Sequence, residues 1–183
     1  MIVLASRSPR RAELLRSAGF EFIVRAADID ETPRPGEAAL DYACRLAEGK
    51  NLAIEAHAGE IVLAADTVVV LDSEIMGKPV DAADARRILA ALSGRKHEVI
   101  TAISLRSGRR MVNDSESTAV WFSPLSETEI ESYIASGEPM DKAGAYGIQG
   151  IASRYIDRID GSYTNVVGLP VAMVYRRLAD LAE

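Results

Sequence analysis

The most informative ionisable residue in the sequence is Asp66, which lies in the middle of the apolar, β-branched run 61–70. Such a run predicts a strand that is buried on both faces. A charged aspartate is costly there unless a cation or hydrogen-bond donors meet it. Because buried charge tends to mark a functional site, we expect Asp66 to act in catalysis or to face a metal ion. The alternative is a strand that ends near Ala65 with Asp66 opening a turn, although residues 67–70 keep the β-favouring composition.

A candidate anion site follows the first predicted strand, residues 2–5. Ser8 is a favoured N-cap residue and Pro9 suits the first helical position, so a helix is predicted to begin here. Arg10 and Arg11 then fall in the first turn, where the helix dipole disfavours cations unless an anion binds. We therefore expect a phosphate group at this helix N-terminus, the alternative being ordinary surface arginines.

Further charged residues are candidates that spacing alone does not decide. Asp28, Asp30 and Glu31 fall within four residues and could hold a divalent ion through oxygen, although solvated loop charge is the common explanation. Lys50 lies on a predicted helix, and Lys78 lies in a predicted loop between a glycine and a proline. From spacing alone, each of these lysines is as well explained as a solvated surface residue.

Several common catalytic chemistries lack their residues in this chain. The histidines are His57 and His97 and the cysteine is Cys44, so a Cys/His zinc cage cannot be built. A GxSxG nucleophile motif and a Walker A motif are missing from the sequence. Oxygen ligands, cationic side chains and a helix N-terminus remain, and this set suits Mg²⁺ or Mn²⁺ acting on a phosphate chain.

Composition sets the class of protein. The 183 residues carry a formal net charge of −6, which predicts one globular unit or two lobes sharing a sheet and argues against a general nucleic-acid binder. No apolar run reaches the ~20 residues of a membrane span. The N-terminal basic residues follow the apolar run, the reverse of a secretory signal. A single cysteine rules out an internal disulfide and fits a reducing cytosol, so we expect a cytoplasmic protein.

Alternating elements must position the candidate residues. The apolar patterns and caps predict strands at 2–5, 20–24, 61–70, 98–105, 109–122 and 154–159, and helices starting at Ser8, at 37–58, after the cap Asp81, after the capping box Ser126–Glu129, and from Pro170 to Leu181. Segment 141–150 carries glycines at three-residue spacing that would let the backbone approach a ligand closely, with an ordinary loop as the default. Segment 161–170 is predicted to be a polar loop.

Taken together, the motifs resemble the Maf family of nucleoside triphosphate pyrophosphatases. The matching segments are SRSPRRAELL at 6–15, AADTVV at 64–69, GKP at 77–79, SG-x-x-H-x-V-x-T at 93–101, DKAGAYGIQG at 141–150 and GSYTNVVGLP at 161–170. Members cut between the α- and β-phosphates and release a nucleoside monophosphate and diphosphate. The resemblance implies an α/β fold like that of inosine triphosphate pyrophosphatase, with a long twisted mixed sheet flanked by helices. Residues 1–183 would form a single Maf domain whose two lobes surround a cleft.

The resemblance also implies roles for particular residues. Asp66 matches the catalytic proton acceptor, and Glu31 is expected to help Asp66 hold the metal. Arg10, Thr67 and Gln149 match positions associated with substrate choice. The phosphate-binding set is Ser8, at the helix start, with Arg11, Lys50 and Lys78. A divalent cation (Mg²⁺ or Mn²⁺), a nucleoside triphosphate substrate and a homodimer are implied as well. Arg7 departs from the family pattern, which usually has glycine there.

The ADT and KAGAYGIQG forms are similar to the subgroup that acts on dTTP and UTP and removes unwanted nucleotides from the pool. The sister subgroup prefers 7-methyl-GTP and typically has glutamine after the aspartate. A 7-methyl-GTP pyrophosphatase stays open as an alternative activity, and two other classes stay open on sequence grounds. One is a nucleotide-binding regulator of septum formation without turnover, and the other is a phosphohydrolase that removes only the γ-phosphate.

Overall fold

The computed structural model describes residues 1–26 and 28–182. Within these residues, seven strands form one sheet. In chain order they are β1 (Ile2–Leu4), β2 (Phe22–Val24), β3 (Ile61–Leu71), β4 (Glu74–Met76), β5 (Lys96–Ser107), β6 (Arg110–Phe122) and β7 (Ile156–Asp160). The order across the sheet is β2-β1-β3-β5-β6-β7, and β4 pairs with β3 outside this path.

Helices connect and flank the strands. They are α1 (Pro9–Ser17), α2 (Ala39–Leu52), α3 (Ala82–Leu92), α4 (Glu127–Ala135), α5 (Tyr163–Val167) and α6 (Val171–Ala182). Short 3₁₀ turns cover Glu138–Asp141, Ala143–Ala145 and Ile151–Tyr155. None of the helices in the described part of the chain has both the length and the hydropathy that a membrane-spanning segment needs.

Strand pairing makes the sheet mixed, as the resemblance to the Maf family implies. β1 runs parallel to β2 and to β3, with Ile2 opposite Phe22 on one side and Ile61 on the other. β4 pairs antiparallel with β3, and β7 pairs antiparallel with β6. The predicted class, an α/β fold with a mixed sheet flanked by helices, is confirmed.

The chain divides into two compact units. The first unit consists of Met1–Thr67, Thr101–Glu116 and the residues from Gly168 onward, and the second of Val68–Ile100 and Ser117–Val167. The predicted single domain with two lobes around a cleft stays a prediction.

In the first unit, the run that contains Asp66 is buried on both faces. Leu63 and Ala65 belong to one apolar cluster, whereas Val62 and Ala64 belong to another. Because successive side chains of a strand point to opposite faces, these two clusters lie on the two sides of the sheet. A strand buried in this way has little tolerance for an ionised side chain.

In the second unit, α3 supplies one apolar face to the core. Ala85, Ile88, Leu89 and Leu92 are buried at helical spacing and pack in a cluster that contains Phe122 among its aromatic members. The predicted cap is present, because the Asp81 side chain accepts from the N–H of Asp84. The predicted capping box of α4 is also present, with Ser126 and Glu129 exchanging bonds.

Two predicted segments are wrong. The helix predicted at 37–58 ends at Leu52, because the Arg106 guanidinium binds the carbonyls of Asn51 and Ile54 and the chain then turns. Segment 161–170 contains helix α5 rather than only polar loop. Its start is stabilised locally, since the Ser162 hydroxyl accepts from the N–H of Asn165.

Candidate active site

An ion cluster surrounds the aspartate that the sequence singles out. Asp66 lies inside β3, which continues to Leu71, so the alternative of a turn at this position is wrong. The residue is 8% exposed. Its Oδ1 atom lies 2.6 Å from the Nζ atom of Lys50, and the same Nζ lies 2.7 Å from Oε1 of Glu31. One ammonium group therefore holds two carboxylates, and Asp66 has the cation that its burial requires.

The helix α2 brings Lys50 to this place. Lys50 lies in the last turn of α2, where the helix dipole favours a cation. Its side chain is only 12% exposed, so the aliphatic stem is packed while the ammonium reaches Asp66 and Glu31. Glu31 is half-exposed on a loop. Of the three groups, Glu31 is therefore the one that can exchange its partner for solvent or a ligand at the smallest cost.

Arg11 is the second cation of the first unit. Its guanidinium donates to the Gly168 carbonyl at 2.8 Å, to the Ser6 hydroxyl at 3.2 Å and to the Thr67 hydroxyl at 3.0 Å. These three acceptors are neutral, so they fix the guanidinium without cancelling its charge. Burial lowers the pKa of Arg11, and Asp66 opposes that shift, but an arginine stays charged in any case. A fixed guanidinium of this kind suits a phosphate or carboxylate ligand.

The start of α1 is built as the sequence predicts. The Ser8 side chain accepts from the backbone N–H of Arg11, and Pro9 occupies the first helical position. The first turn contains no acidic residue and carries Arg10, which is half-buried. The predicted helix start is thus confirmed, and the phosphate-binding role of Ser8 stays a prediction.

Thr67 is hydrogen-bonded to Arg11. Besides accepting from Arg11, its hydroxyl lies 2.9 Å from the Thr101 hydroxyl and 3.4 Å from the Gly168 carbonyl. The side chain that follows the aspartate therefore helps to set the direction of the guanidinium. Its predicted part in substrate choice is not tested by these contacts.

In the second unit, Lys78 and Gln149 are exposed side chains on loops. The two loops are joined through the backbone, since the N–H of Gly144 donates to the carbonyl of Gly77 at 3.1 Å. Gly144 has φ +70°, and a Cβ atom there would lie 2.8–2.9 Å from the Val69 side chain. Glycine here permits a close approach of the backbone to a core side chain of the same unit, and the approach to a ligand predicted for 141–150 stays a prediction.

A neutral aromatic cluster includes Tyr146, which lies three residues before Gln149 in the same loop. His97 is 2% exposed, and its Nε2 lies 2.8 Å from the hydroxyl of Tyr146. His97, Phe122 and Tyr146 make edge-to-face contacts with one another. Burial lowers the pKa of His97 to about 4 and raises that of Tyr146, so both groups are neutral near pH 7. The histidine of the SG-x-x-H motif is therefore a structural member of this core.

The described residues fit a divalent ion only in part. Among residues 1–26 and 28–182, no group of three or more His, Cys, Asp or Glu side chains is placed to hold a metal. Glu31 and Asp66 do converge, on the ammonium of Lys50. A hard cation commonly uses one or two protein carboxylates and takes its other ligands from substrate phosphates and water. The donor set is therefore compatible with Mg²⁺ or Mn²⁺ binding together with a phosphate chain.

Sequence reasoning gave no role to three polar residues around these groups: Thr101, Asn51 and Arg106. Thr101 is buried beside Thr67. Asn51 is fully buried, next to Lys50 on α2, and Arg106 binds it. A signal was present, because Asn51 stands four residues after Ala47 on the apolar face of the predicted helix. A polar residue in that position needs a partner.

The chain belongs to the Maf-like protein family, whose model matches residues 1–181. Two relatives, from Geobacter metallireducens and Geobacter sulfurreducens, are both named dTTP/UTP pyrophosphatase. They are 55% and 56% identical over 180 residues, which cover 97% of this chain and 94% of each relative. Among solved structures, the Ham1 protein of Staphylococcus aureus matches with a TM-score of 0.46 and 17% identity, covering 66% of this chain and 71% of that one. The predicted family is confirmed, and the homodimer and the cytoplasmic location stay predictions.

Proposed function

We propose that this protein is a nucleoside triphosphate pyrophosphatase that hydrolyses dTTP and UTP to the monophosphate and diphosphate. The observation that carries the proposal is the ion cluster in which Lys50 holds Asp66 and Glu31, inside a chain of this family. Relatives that are more than half identical over nearly the full chain bear the same activity in their names. Removal of such nucleotides from the pool is the role that follows.

The cationic groups account for binding of the phosphate chain. Arg11 is held by neutral acceptors and keeps its charge for an anion. The start of α1, capped by Ser8, adds backbone N–H groups and the positive end of the helix dipole. We assign phosphate contacts to these groups, to Lys50 and to Lys78.

The reaction is an attack of water on the α-phosphorus. The bond between this phosphorus and the α–β bridging oxygen breaks, and diphosphate leaves while the cations neutralise its charge. Asp66 orients the water and accepts its proton, and Lys50 keeps the carboxylate in position. A divalent ion bound by Glu31 and Asp66 would polarise the phosphate and lower the pKa of the water.

Substrate choice is assigned to Arg10, Thr67 and Gln149. Gln149 is exposed, so its amide is available to pair with the edge of a base. A base with the wrong edge would leave polar groups unpaired, which is the strongest available source of discrimination. Thr67 would act partly through the guanidinium of Arg11, whose direction it helps to fix.

The first test replaces Asp66 with Asn, which keeps the shape and removes the proton acceptor. We expect turnover of dTTP to fall by ~10² or more, because general-base catalysis contributes factors of this size. Diphosphate release measures the activity, and thermal unfolding shows whether the fold is kept. The matched control is Asp114→Asn, which removes a carboxylate that pairs with Arg177 and has no place in the proposed site. Near-parental turnover by Asp66→Asn would contradict the proposal.

The product distinguishes the competing functions. Incubation of the protein with Mg²⁺ and a panel of nucleoside triphosphates should yield diphosphate, with dTTP and UTP ahead of 7-methyl-GTP. Orthophosphate alone would indicate removal of the γ-phosphate. Binding of nucleotide without either product would indicate a regulator that senses and does not cleave.

A further inference from the structure

A buried asparagine joins α2 to the sheet in the first unit. Asn51 has no exposed surface. Its Nδ2 atom donates to the carbonyl of Val62 on β3 at 3.0 Å and to the carbonyl of Ser104 on β5 at 2.8 Å. Both amide hydrogens are therefore used on backbone acceptors of two different strands.

The acceptor side of the same amide is used as well. Arg106 donates through Nε to Oδ1 of Asn51 at 2.8 Å, and through Nη2 to the backbone carbonyls of Asn51 and Ile54 at 3.0 and 2.6 Å. The guanidinium thus binds a carbonyl of the last turn of α2, which also accepts from the N–H of Ile54, and the carbonyl of Ile54 just beyond the helix end. Asn51 and Arg106 together form a clamp in which both polar atoms of the Asn51 amide, and the Nε and Nη2 atoms of Arg106, have defined partners.

The clamp lies next to the residues of the proposed chemistry. Asn51 directly follows Lys50, whose ammonium holds Asp66. Val62, the residue that Asn51 binds, lies on the same strand as Asp66 and four positions before it. The hydrogen bonds therefore attach the helical turn that carries the lysine to the strand that carries the aspartate. A small side chain at position 51 would leave that turn without its attachment to the two strands.

Stability alone does not require this arrangement. A buried side-chain amide gains little net free energy even when it is fully hydrogen-bonded, and apolar packing is often as good. A directional clamp does fix how far along β3 the end of α2 can slide, which an apolar contact would fix only loosely. A lysine side chain is flexible, so the position of its ammonium group depends on a backbone that is fixed in this way.

We propose that Asn51 and Arg106 are positioning residues that act through Lys50 to hold the ammonium on Asp66 during the reaction. The proposal rests on the pyrophosphatase function assigned above. Neither residue touches the phosphate chain in this assignment. Their effect on catalysis should therefore disappear once Lys50 has been removed.

A double-mutant cycle on kcat/KM for dTTP tests this dependence. Asn51→Ser should lower kcat/KM by ~10-fold or more, mainly in kcat, when Lys50 is present. In a Lys50→Gln background, itself ~10²-fold less active, the added loss should be under ~2-fold. Arg106→Lys keeps the positive charge and loses the paired Nε and Nη2 donors of the guanidinium. Its loss of kcat/KM should be smaller and should likewise depend on the presence of Lys50. This second variant covers the case in which Asn51→Ser does not fold.

The matched control is Asn165, a buried asparagine of the second unit whose amide donates to the Val99 carbonyl and the Thr118 hydroxyl. Any loss from Asn165→Ser should be the same with and without Lys50. If the losses from the clamp variants also multiply with that of Lys50→Gln, the clamp is merely structural and the inference is overturned.

Parental activity separates this failure from failure of the proposed function. If the parental protein released no diphosphate from any triphosphate, the pyrophosphatase proposal would fall. A second double-mutant cycle, made of Arg106→Lys, Asp66→Asn and the double variant, would then be measured by urea unfolding midpoints instead of kcat/KM. Non-additive midpoint shifts would support the attachment of Lys50 to Asp66 by the clamp, and additive shifts would overturn it.

Discussion

The two units fix their functional segments by different physical means. In the first unit, Asp66 is held in an ion cluster, with the ammonium of Lys50 between two carboxylates, and the Arg11 guanidinium donates to neutral acceptors that leave its charge uncancelled. In the second unit, the loop that carries Gln149 is held by the neutral His97–Tyr146 bond, by edge-to-face rings and close glycine packing, and by the Glu138 carboxylate, which accepts from the N–H of Ile151. The contrast separates groups that can exchange partners with a ligand from groups that fix a backbone.

The difference has a physical reason. A phosphate chain brings a large negative charge, and a site that already contains paired charges can rearrange those pairs around it at small cost. A loop that must hold one shape gains from groups that do not titrate near pH 7 and are little affected by salt. The two units should therefore respond differently to loss of a charge, to loss of space and to acid.

The largest expected effect is a loss of activity from a change in the ion cluster of the first unit. Lys50→Gln removes the ammonium that holds Asp66 and Glu31, so kcat/KM for dTTP should fall by ~10²–10³, the usual cost of losing one preorganised charge donor. Lys96→Gln is the control, since Lys96 lies over the Trp121 ring of the second unit and should leave kcat/KM within ~2-fold. A drop in kcat/KM of less than ~3-fold for Lys50→Gln would contradict the proposal that the ion cluster of the first unit acts in catalysis.

The next largest effect is a loss of stability from a change in the loop of the second unit that carries Gln149. Gly144→Ala places a Cβ against Val69 at a residue with φ +70°. Positive φ and overpacking should together lower the free energy of unfolding by about 3 kcal/mol. Gly108→Ala separates the two causes, because Gly108 has φ +58° and open space around its Cβ position, and it should cost only about 1 kcal/mol. Urea unfolding gives both values, and equal losses would show that the contact with Val69 carries no weight.

Acid should unfold the protein partly through His97. Its pKa is 6.5 in the unfolded chain and about 4 in the fold, so between these values the unfolded state binds more protons. This contribution is complete above pH 6.5 and is lost as the pH falls towards 4, amounting to about 3 kcal/mol. Urea midpoints across pH 4–7 measure the slope. His97→Gln should flatten it and the exposed His57→Gln should not, so an unchanged slope in His97→Gln would contradict the assignment.

Local signals explain what the sequence could predict about the fold. Ser8, Asp81 and Ser126 cap their helices because an N-cap bond spans only a few residues. The buried strand around Asp66 is equally visible, since apolar composition is a property of the run itself. The helix α5 was missed although the Ser162 bond that stabilises its start is local. The error at the end of α2 has the opposite origin. The end of α2 depends on Arg106, which lies 54 residues after Leu52, and no local pattern reports such a contact.

The candidate site divides in the same way. The cost of burying Asp66 indicates that a cation is present without saying which one. Spacing left Lys50 no different from a surface lysine, and only the family resemblance placed it in the site. Asn51 could have been recognised as a buried polar residue, but its acceptors Val62 and Ser104 come from strand packing. Chemical need is readable from sequence, whereas the partner that meets it is set by tertiary structure.

The smallest expected effect tests how much of the neutral cluster depends on one hydrogen bond. Tyr146→Phe removes the hydroxyl that lies 2.8 Å from Nε2 of His97 and keeps the ring that packs on Phe122. Leaving one buried nitrogen without its partner should cost ~1–2 kcal/mol in urea unfolding. Because the rings and the Gly144 contact remain, the preference for dTTP over a purine triphosphate should change by less than ~2-fold. A larger change in preference would mean that the hydrogen bond, rather than ring packing, holds the loop in the shape that Gln149 needs, and Tyr175→Phe on the exposed face of α6 gives the baseline.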